Sequence, residues 1–190
     1  MKTSGSPQDR RHDYLWAGAL LIAAGASSLI AACAVPIAAF AVAAAAAFGG
    51  RRALLVVTAI WFLNQVIGFG VLDYPLDLAT LLWGPAMLAA ALIATAVATA
   101  SLGWFAPRRI VALPAVFVAA FAAYEACLYL AAQQLGGVED FAAAIMVSVI
   151  VANVLWLAGL TVAYEGSRFL LAKWRGESAG RPSTEPAIVT

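Results

Sequence analysis

Six apolar stretches, separated by short breakers, restrict the fold of this chain more than any other feature. They cover residues 14–33, 35–48, 53–69, 78–102, 110–132 and 141–164. A helix that crosses the hydrocarbon core of a bilayer needs about 20 apolar residues. The chain is 64% hydrophobic and 11% charged, whereas a soluble domain carries about 25% charged residues. The sequence therefore predicts an all-α integral membrane protein, a bundle of six transmembrane helices.

The second stretch, within 35–50, is short and alanine-rich, and read alone it also fits a re-entrant or interfacial segment. The basic residues favour a span, because Arg10 and Arg11 precede the first stretch and Arg51 and Arg52 follow the second. Lys and Arg collect in cytoplasmic loops, so an even number of crossings separates these pairs. Six spans place all eleven Lys and Arg on one side. We therefore predict that both termini are cytoplasmic.

This topology divides the chain into three parts. Residues 1–13 form a cytoplasmic arm, 14–172 the transmembrane domain and 173–190 a flexible cytoplasmic tail, which is rich in Gly, Pro, Ser and Thr. The predicted location is the cell (inner) membrane, with the lipid bilayer as the first partner. No basic block with interleaved aromatic residues is present, so nucleic acid is not an expected partner.

Glu125 is the strongest candidate for a functional residue. It lies well inside the fifth stretch, and an ionisable group at membrane depth is costly and therefore raises a functional hypothesis. Other polar and aromatic side chains recur at helical spacing and fall in the outer half of the predicted bundle. The predicted ligand-binding set is Trp61, Asn64, Gln65, Trp83, Glu125, Tyr129, Asn153 and Trp156.

Each of these residues also has a structural interpretation. Asn and Gln in membrane helices often join neighbouring helices by hydrogen bonds, and tryptophans often pack or anchor at the membrane interface. Glu125 can likewise be protonated and bonded within a structural network. Cys33 and Cys127 can pair, bind a soft metal, or simply pack as small apolar residues.

Catalytic and cofactor signatures are missing from the sequence. There is no HExxH, CxxC, P-loop, His-rich span or GxSxG with partner residues, so we expect no enzymatic activity, no metal and no cofactor. The first stretch instead carries small residues at every fourth position, namely Ala19, Ala23 and Ser27. Such a face permits close helix packing, within the bundle or against a partner protein.

The architecture resembles the substrate-binding S components of energy-coupling-factor vitamin transporters. The features that carry the resemblance are the Ala19-x-x-x-Ala23 face, the outward polar group with Glu125 and Asn153, and the chain length. The resemblance implies an outward-facing ligand site and a first helix that docks a transmembrane coupling subunit served by ATPases. The first outer connection, Ala34-Val35-Pro36, is shorter than in that family, so a lid over the site would have to come from residues 70–77.

Three functional hypotheses follow. The first is a small-molecule-binding membrane subunit of an uptake transporter. The second is a non-catalytic accessory or assembly subunit of a larger membrane complex. The third is a proton- or ion-coupled carrier in which Glu125 titrates.

Overall fold

The computed structural model describes residues 7–31, 35–105 and 109–179, with side chains described for 10–30, 35–105 and 111–174. Within these ranges the chain forms six α-helices and one short 3-10 helix, Val138–Phe141. The α-helices are α1 (Pro7–Ala31), α2 (Ile37–Phe48), α3 (Gly50–Gly70), α4 (Leu78–Trp104), α5 (Arg109–Leu135) and α6 (Ala143–Ala179). The prediction of an all-helical chain with six helices is confirmed for the described residues.

Five of these helices, all except α2, are long and apolar enough to cross a membrane. Helix α2 has 12 residues and is therefore about 18 Å long, against a hydrocarbon core of about 30 Å. The chain is thus a multi-span helical protein in which the second helix is too short to cross by itself. The second apolar stretch is also the shortest of the six in the sequence.

Helix α2 occupies the centre of the bundle. Each residue from Ile37 to Ala45 is buried, and the helix packs against α1, α3, α4, α5 and α6. Most of these residues are alanine, whose small side chain lets neighbouring backbones approach closely. Burial on all sides explains why α2 lacks a polar face and is apolar around its whole circumference.

Asn153 of α6 caps the buried beginning of α2. Its Oδ1 accepts a hydrogen bond from the backbone N–H of Ala39 (3.0 Å), and its Nδ2 donates to the carbonyl of Val149 (3.0 Å). The first N–H groups of a helix have no intrahelical acceptor. In the apolar core an unsatisfied N–H is costly, so the amide of Asn153 fixes the depth at which α2 begins.

Helices α1 and α3 run parallel to each other. At one end Arg52 Nη1 donates to Asp13 Oδ2 (3.0 Å), and farther along Ser28 Oγ donates to Asn64 Oδ1 (3.1 Å). Helix α2 therefore returns the chain to the end where α1 began. Gly49 alone joins α2 to α3, and its φ of 64° is a conformation that glycine adopts without steric cost.

The C-terminal half of α6 lies at this same end, which we call the basic end. His12 Nε2 lies 3.1 Å from Ser167 Oγ, the rings of Trp16 and Tyr164 are 5.1 Å apart, and the guanidinium of Arg168 lies over the Tyr164 ring. Helix α6 continues to Ala179, so the first residues of the predicted tail are helical. Residues 180–190 lie outside the described part of the chain.

Replacing Asn153 with alanine is expected to destabilise the bundle by about 1–3 kcal/mol, because the Ala39 N–H is left buried without its acceptor. Thermal unfolding of the purified protein in mild detergent measures the change. Ser148→Ala is the matched control, since its hydroxyl donates only to Ala144 on the same helix and is exposed. Equal losses of stability in the two variants would contradict the capping role.

Asp77 caps the other end of the bundle at the start of α4, where its Oδ1 accepts from the Thr80 N–H (2.8 Å). Hydrogen bonds from the backbone and then the side chain of Thr80 hold the pKa of this carboxyl below its ordinary value. A depressed pKa stabilises the folded state above the unfolded-state pKa, and this contribution is lost as the pH falls through the folded-state value.

Asp77→Ala is therefore expected to speed amide exchange at Thr80 at neutral pH. In strong acid the exchange rates of the variant and the wild type should become equal. Hydrogen exchange corrected for its intrinsic pH dependence tests the effect. Asp77→Asn keeps an acceptor that does not titrate, so its protection should remain across the acid range. An acid-independent difference between the wild type and Asp77→Ala would show that the charge is irrelevant.

Candidate functional site

The predicted ligand-binding residues fall into four groups. Trp61, Gln65 and Trp83 lie where α3 meets α4; Asn64 joins α1 to α3; Asn153 and Trp156 contact α2; and Glu125 and Tyr129 lie on α5. Among the described side chains, no hydrogen bond or ring contact links one group to another. Their convergence on one cavity stays a prediction.

The α3–α4 group is built around a glycine. Trp61 Nε1 donates to the carbonyl of Gly84 (2.9 Å), beside the proline of α4. A Cβ added at Gly84 would lie 3.2 Å from Gln65 Oε1, so the absence of a side chain there lets the Gln65 amide approach the α4 backbone. Pro85 has no N–H to donate to the carbonyl of Leu81, and the Trp61 indole bonds to the adjacent Gly84 carbonyl.

Asn64 has a structural partner. It is 8% exposed, and its Oδ1 shares the single hydroxyl hydrogen of Ser28 with the carbonyl of Ala24. This is the interhelical bonding expected of asparagine in a membrane bundle. Nothing in the sequence identified Ser28 as the partner of Asn64, because the contact depends on α1 and α3 lying side by side.

Trp156 also has a packing role. Its ring lies 5.5 Å from that of Phe40 on α2, one turn along α6 from the capping amide of Asn153. The two residues together hold α6 against the central helix. The sequence did not predict that their partner is the buried helix α2.

Glu125 differs from the buried amides. It is half-buried on α5, and the structure gives its carboxylate no hydrogen-bond or ion-pair partner among the described residues. Tyr129 lies one turn farther along the same face, and its ring packs edge-on against Phe141 (5.2 Å). Glu125 is therefore a carboxylate with unused hydrogen-bonding capacity, on a helix long and apolar enough to cross a membrane. The other described Asp, Glu, Lys, Arg and His side chains lie in connections or near helix ends.

The small-residue face of α1 is more buried toward the end of the helix than near its beginning. Ala19 is exposed and Ala23 half-buried, whereas Ser27 is buried and donates to the carbonyl of Ala24 (2.8 Å). Ser27 therefore packs inside the chain, and its predicted role in docking a partner would require the bundle to open. Ala19 and Ala23 remain accessible.

The connection 70–77 folds back over the end of α3. The Tyr74 ring lies so close to Gly68 that an added Cβ would stand 2.7 Å from it, and the Tyr74 N–H donates to the Gly68 carbonyl. Trp83 lies beside Gly137 in the α5–α6 connection. These contacts gather the connections at one end of the bundle, and the predicted lid role of 70–77 stays a prediction.

The alternatives predicted for Cys33 and Cys127 stay predictions. Cys127 is half-buried on α5, and Cys33 lies outside the described residues. In the part of the chain that the structure describes, no three His, Cys, Asp or Glu side chains are grouped closely enough to hold a metal ion.

Comparison of the chain with models of known protein families, with curated proteins and with solved structures finds no significant match.

A double-mutant cycle on Ser28 and Asn64 is expected to give a coupling free energy of about 0.6 kcal/mol, typical of interhelical hydrogen bonds in a bundle. The cycle compares thermal stabilities of Ser28→Ala, Asn64→Ala and the combined variant. Ser27→Ala combined with Asn64→Ala is the control, because the Ser27 hydroxyl bonds within its own helix. Additive effects in the first cycle would mean that the two side chains do not act together.

Proposed function

We propose that the protein is a non-catalytic, multi-pass membrane subunit that binds a small molecule through Glu125. The observation that carries this proposal is the contrast between Glu125 and the buried amides. Asn64 and Asn153 have partners within the chain, whereas the Glu125 carboxylate has none among the described residues. A carboxylate kept at membrane depth without an internal partner is a binding group by default.

The ligand chemistry follows from the carboxylate. An ionised carboxylate only accepts hydrogen bonds, and a protonated one also donates, so the ligand presents an amine, amide or hydroxyl group to Glu125. The half-exposed Tyr129 ring, one turn along, offers an aromatic surface beside it. Binding sites generally combine apolar walls with few polar groups, which matches this sparse arrangement.

In the proposed topology the basic end faces the cytoplasm and the helices lie in the inner membrane. The positive-inside rule supports this orientation, because Arg52, Arg168 and the beginning of α1 share one end. As part of an uptake system the subunit would need a coupling subunit and ATPases, because its sequence contains no nucleotide-binding motif. The exposed Ala19 and half-buried Ala23 face is available for such a partner.

A second candidate, an accessory or assembly subunit, is supported by α6. This helix packs mainly on α2, and it exposes large apolar side chains along much of its length, including Val147, Val151, Leu155 and Val162. Lipid or a partner helix can cover this surface. In that case Glu125 would bond to a group on the partner protein.

Glu125→Gln distinguishes the candidates. Native mass spectrometry of protein gently purified from its own membrane reports bound small molecules and co-purified subunits together. We expect the variant to lose about tenfold or more of the occupancy of a small-molecule adduct, since a hydrogen bond to a charged group is worth about 1.5–3 kcal/mol. Glu139→Gln is the matched control, because it removes a carboxylate from the exposed 3-10 helix.

Loss of a protein subunit from the Glu125→Gln sample, with no small-molecule adduct in the wild type, would replace the first candidate with the second. A changed pH dependence of transport in the variant would instead favour a coupled carrier. If adducts and subunits are the same in wild type and variant, Glu125 is structural and the proposal fails.

A further inference from the structure

A groove opens between α1 and α3 at the basic end of the bundle. Its volume is about 200 Å³, and residues of α1, α3 and the end of α2 line it. The lining residues are Arg10, Asp13, Tyr14, Ala17, Phe48, Arg52, Leu55 and Val56. Helix α5, which carries Glu125, contributes no residue to the groove.

Charge and apolar surface are separated along the groove. Arg10 is followed on α1 by Tyr14 and Ala17 at i+4 and i+7, so one face of the helix changes from charged to apolar. Arg52 is followed on α3 by Leu55 and Val56 at i+3 and i+4. Because α1 and α3 run parallel, the two arginines share one end of the groove and the apolar side chains continue from it along the helix direction.

The charged end has spare hydrogen-bond donors. Arg52 uses Nη1 on Asp13, but a guanidinium has five N–H donors, and 66% of the Arg52 side chain is exposed. Arg10 is exposed and lies on the same groove. The groove thus carries two cations against one anion.

We propose that this groove binds one anionic phospholipid. The arginines hold the phosphate, and the apolar part of the groove takes the beginning of an acyl chain. A diester phosphate accepts hydrogen bonds from guanidinium groups in a charge-assisted pair. Basic pockets between membrane helices at the cytoplasmic side are suited to anionic headgroups, and Tyr14 lies at the level where amphipathic rings meet the interface.

The charge of the groove and the direction of its apolar part favour an anionic phospholipid over a soluble anion or a neutral lipid. A soluble anion would match the arginines but leave Leu55, which is 60% exposed, in contact with water or lipid. A neutral lipid would cover Leu55 but leave two arginines against a single aspartate. An anionic phospholipid satisfies both parts, and its chain lies parallel to α1 and α3, as lipid chains do in a bilayer.

The test uses the full-length protein in mild detergent and native mass spectrometry with added phosphatidylglycerol or phosphatidylcholine of identical acyl chains. We expect tighter binding of phosphatidylglycerol to the wild type. The double variant Arg10→Gln/Arg52→Gln should bind it about tenfold or more weakly, because each arginine near an anionic lipid contributes substantially. Circular dichroism checks that the variants keep their helices.

The matched control is Arg11→Gln/Arg51→Gln, which removes the same charge from residues that do not line the groove. It should bind phosphatidylglycerol within about twofold of the wild type if the groove, and not the general charge, makes the site. Equal losses in the two double variants, or equal binding of the two lipids by the wild type, would overturn the proposal.

Asp13→Asn gives an independent readout that does not depend on removing an arginine. It releases Arg52 from its ion pair and removes the one negative charge in the groove, so phosphatidylglycerol should bind more tightly. Unchanged or weaker binding would contradict the proposal. None of these variants alters Glu125, so failure here leaves the proposed function untouched.

Discussion

The hydrogen bond from Ala39 to Asn153 fixes the position on which the rest of the bundle depends. It satisfies a backbone donor at the beginning of a helix that is enclosed by five others, where water cannot do so. Because α2 is buried on all sides, its depth sets the depth of every helix that packs on it. The alanines of α2 then determine how closely those neighbours approach, and Gly49 allows the chain to leave α2 and enter α3 without a longer connection.

The sequence predicted the helical class, the number of helices and most of their limits, because long apolar runs and intervening polar residues determine them directly. It did not predict that α2 would lie buried as a short central helix. Length alone raised the question, but composition cannot distinguish a helix surrounded by protein from one surrounded by lipid, since both are apolar on every side. The ends of α1 and α6 were also predicted too short, because polar residues such as Arg11 and Lys173 continue a helix beyond the apolar run.

The candidate site was harder to predict, because local spacing does not show which residues of other helices a side chain will contact. Spacing picked out Asn64, Asn153 and Trp61 as candidates, but it could not reveal that Ser28, Ala39 and Gly84 would be their hydrogen-bond partners. Glu125 was recognisable because a carboxylate is rare within such a span. The arginines of the basic end were recognised only as determinants of orientation. Their arrangement around a groove depends on α1 and α3 lying side by side, which no local pattern encodes.

The central position of α2 has a consequence for the order of assembly. Most of its neighbours, α3 to α6, follow it in the chain, and Asn153 belongs to the last helix. Contacts between residues so far apart in sequence form late, because closing a long loop costs entropy before any contact offsets it. Synthesis therefore produces the core helix second, while the surface that encloses it is completed only when the final helix arrives. Until then part of the apolar surface of α2 is not yet covered by the rest of the chain.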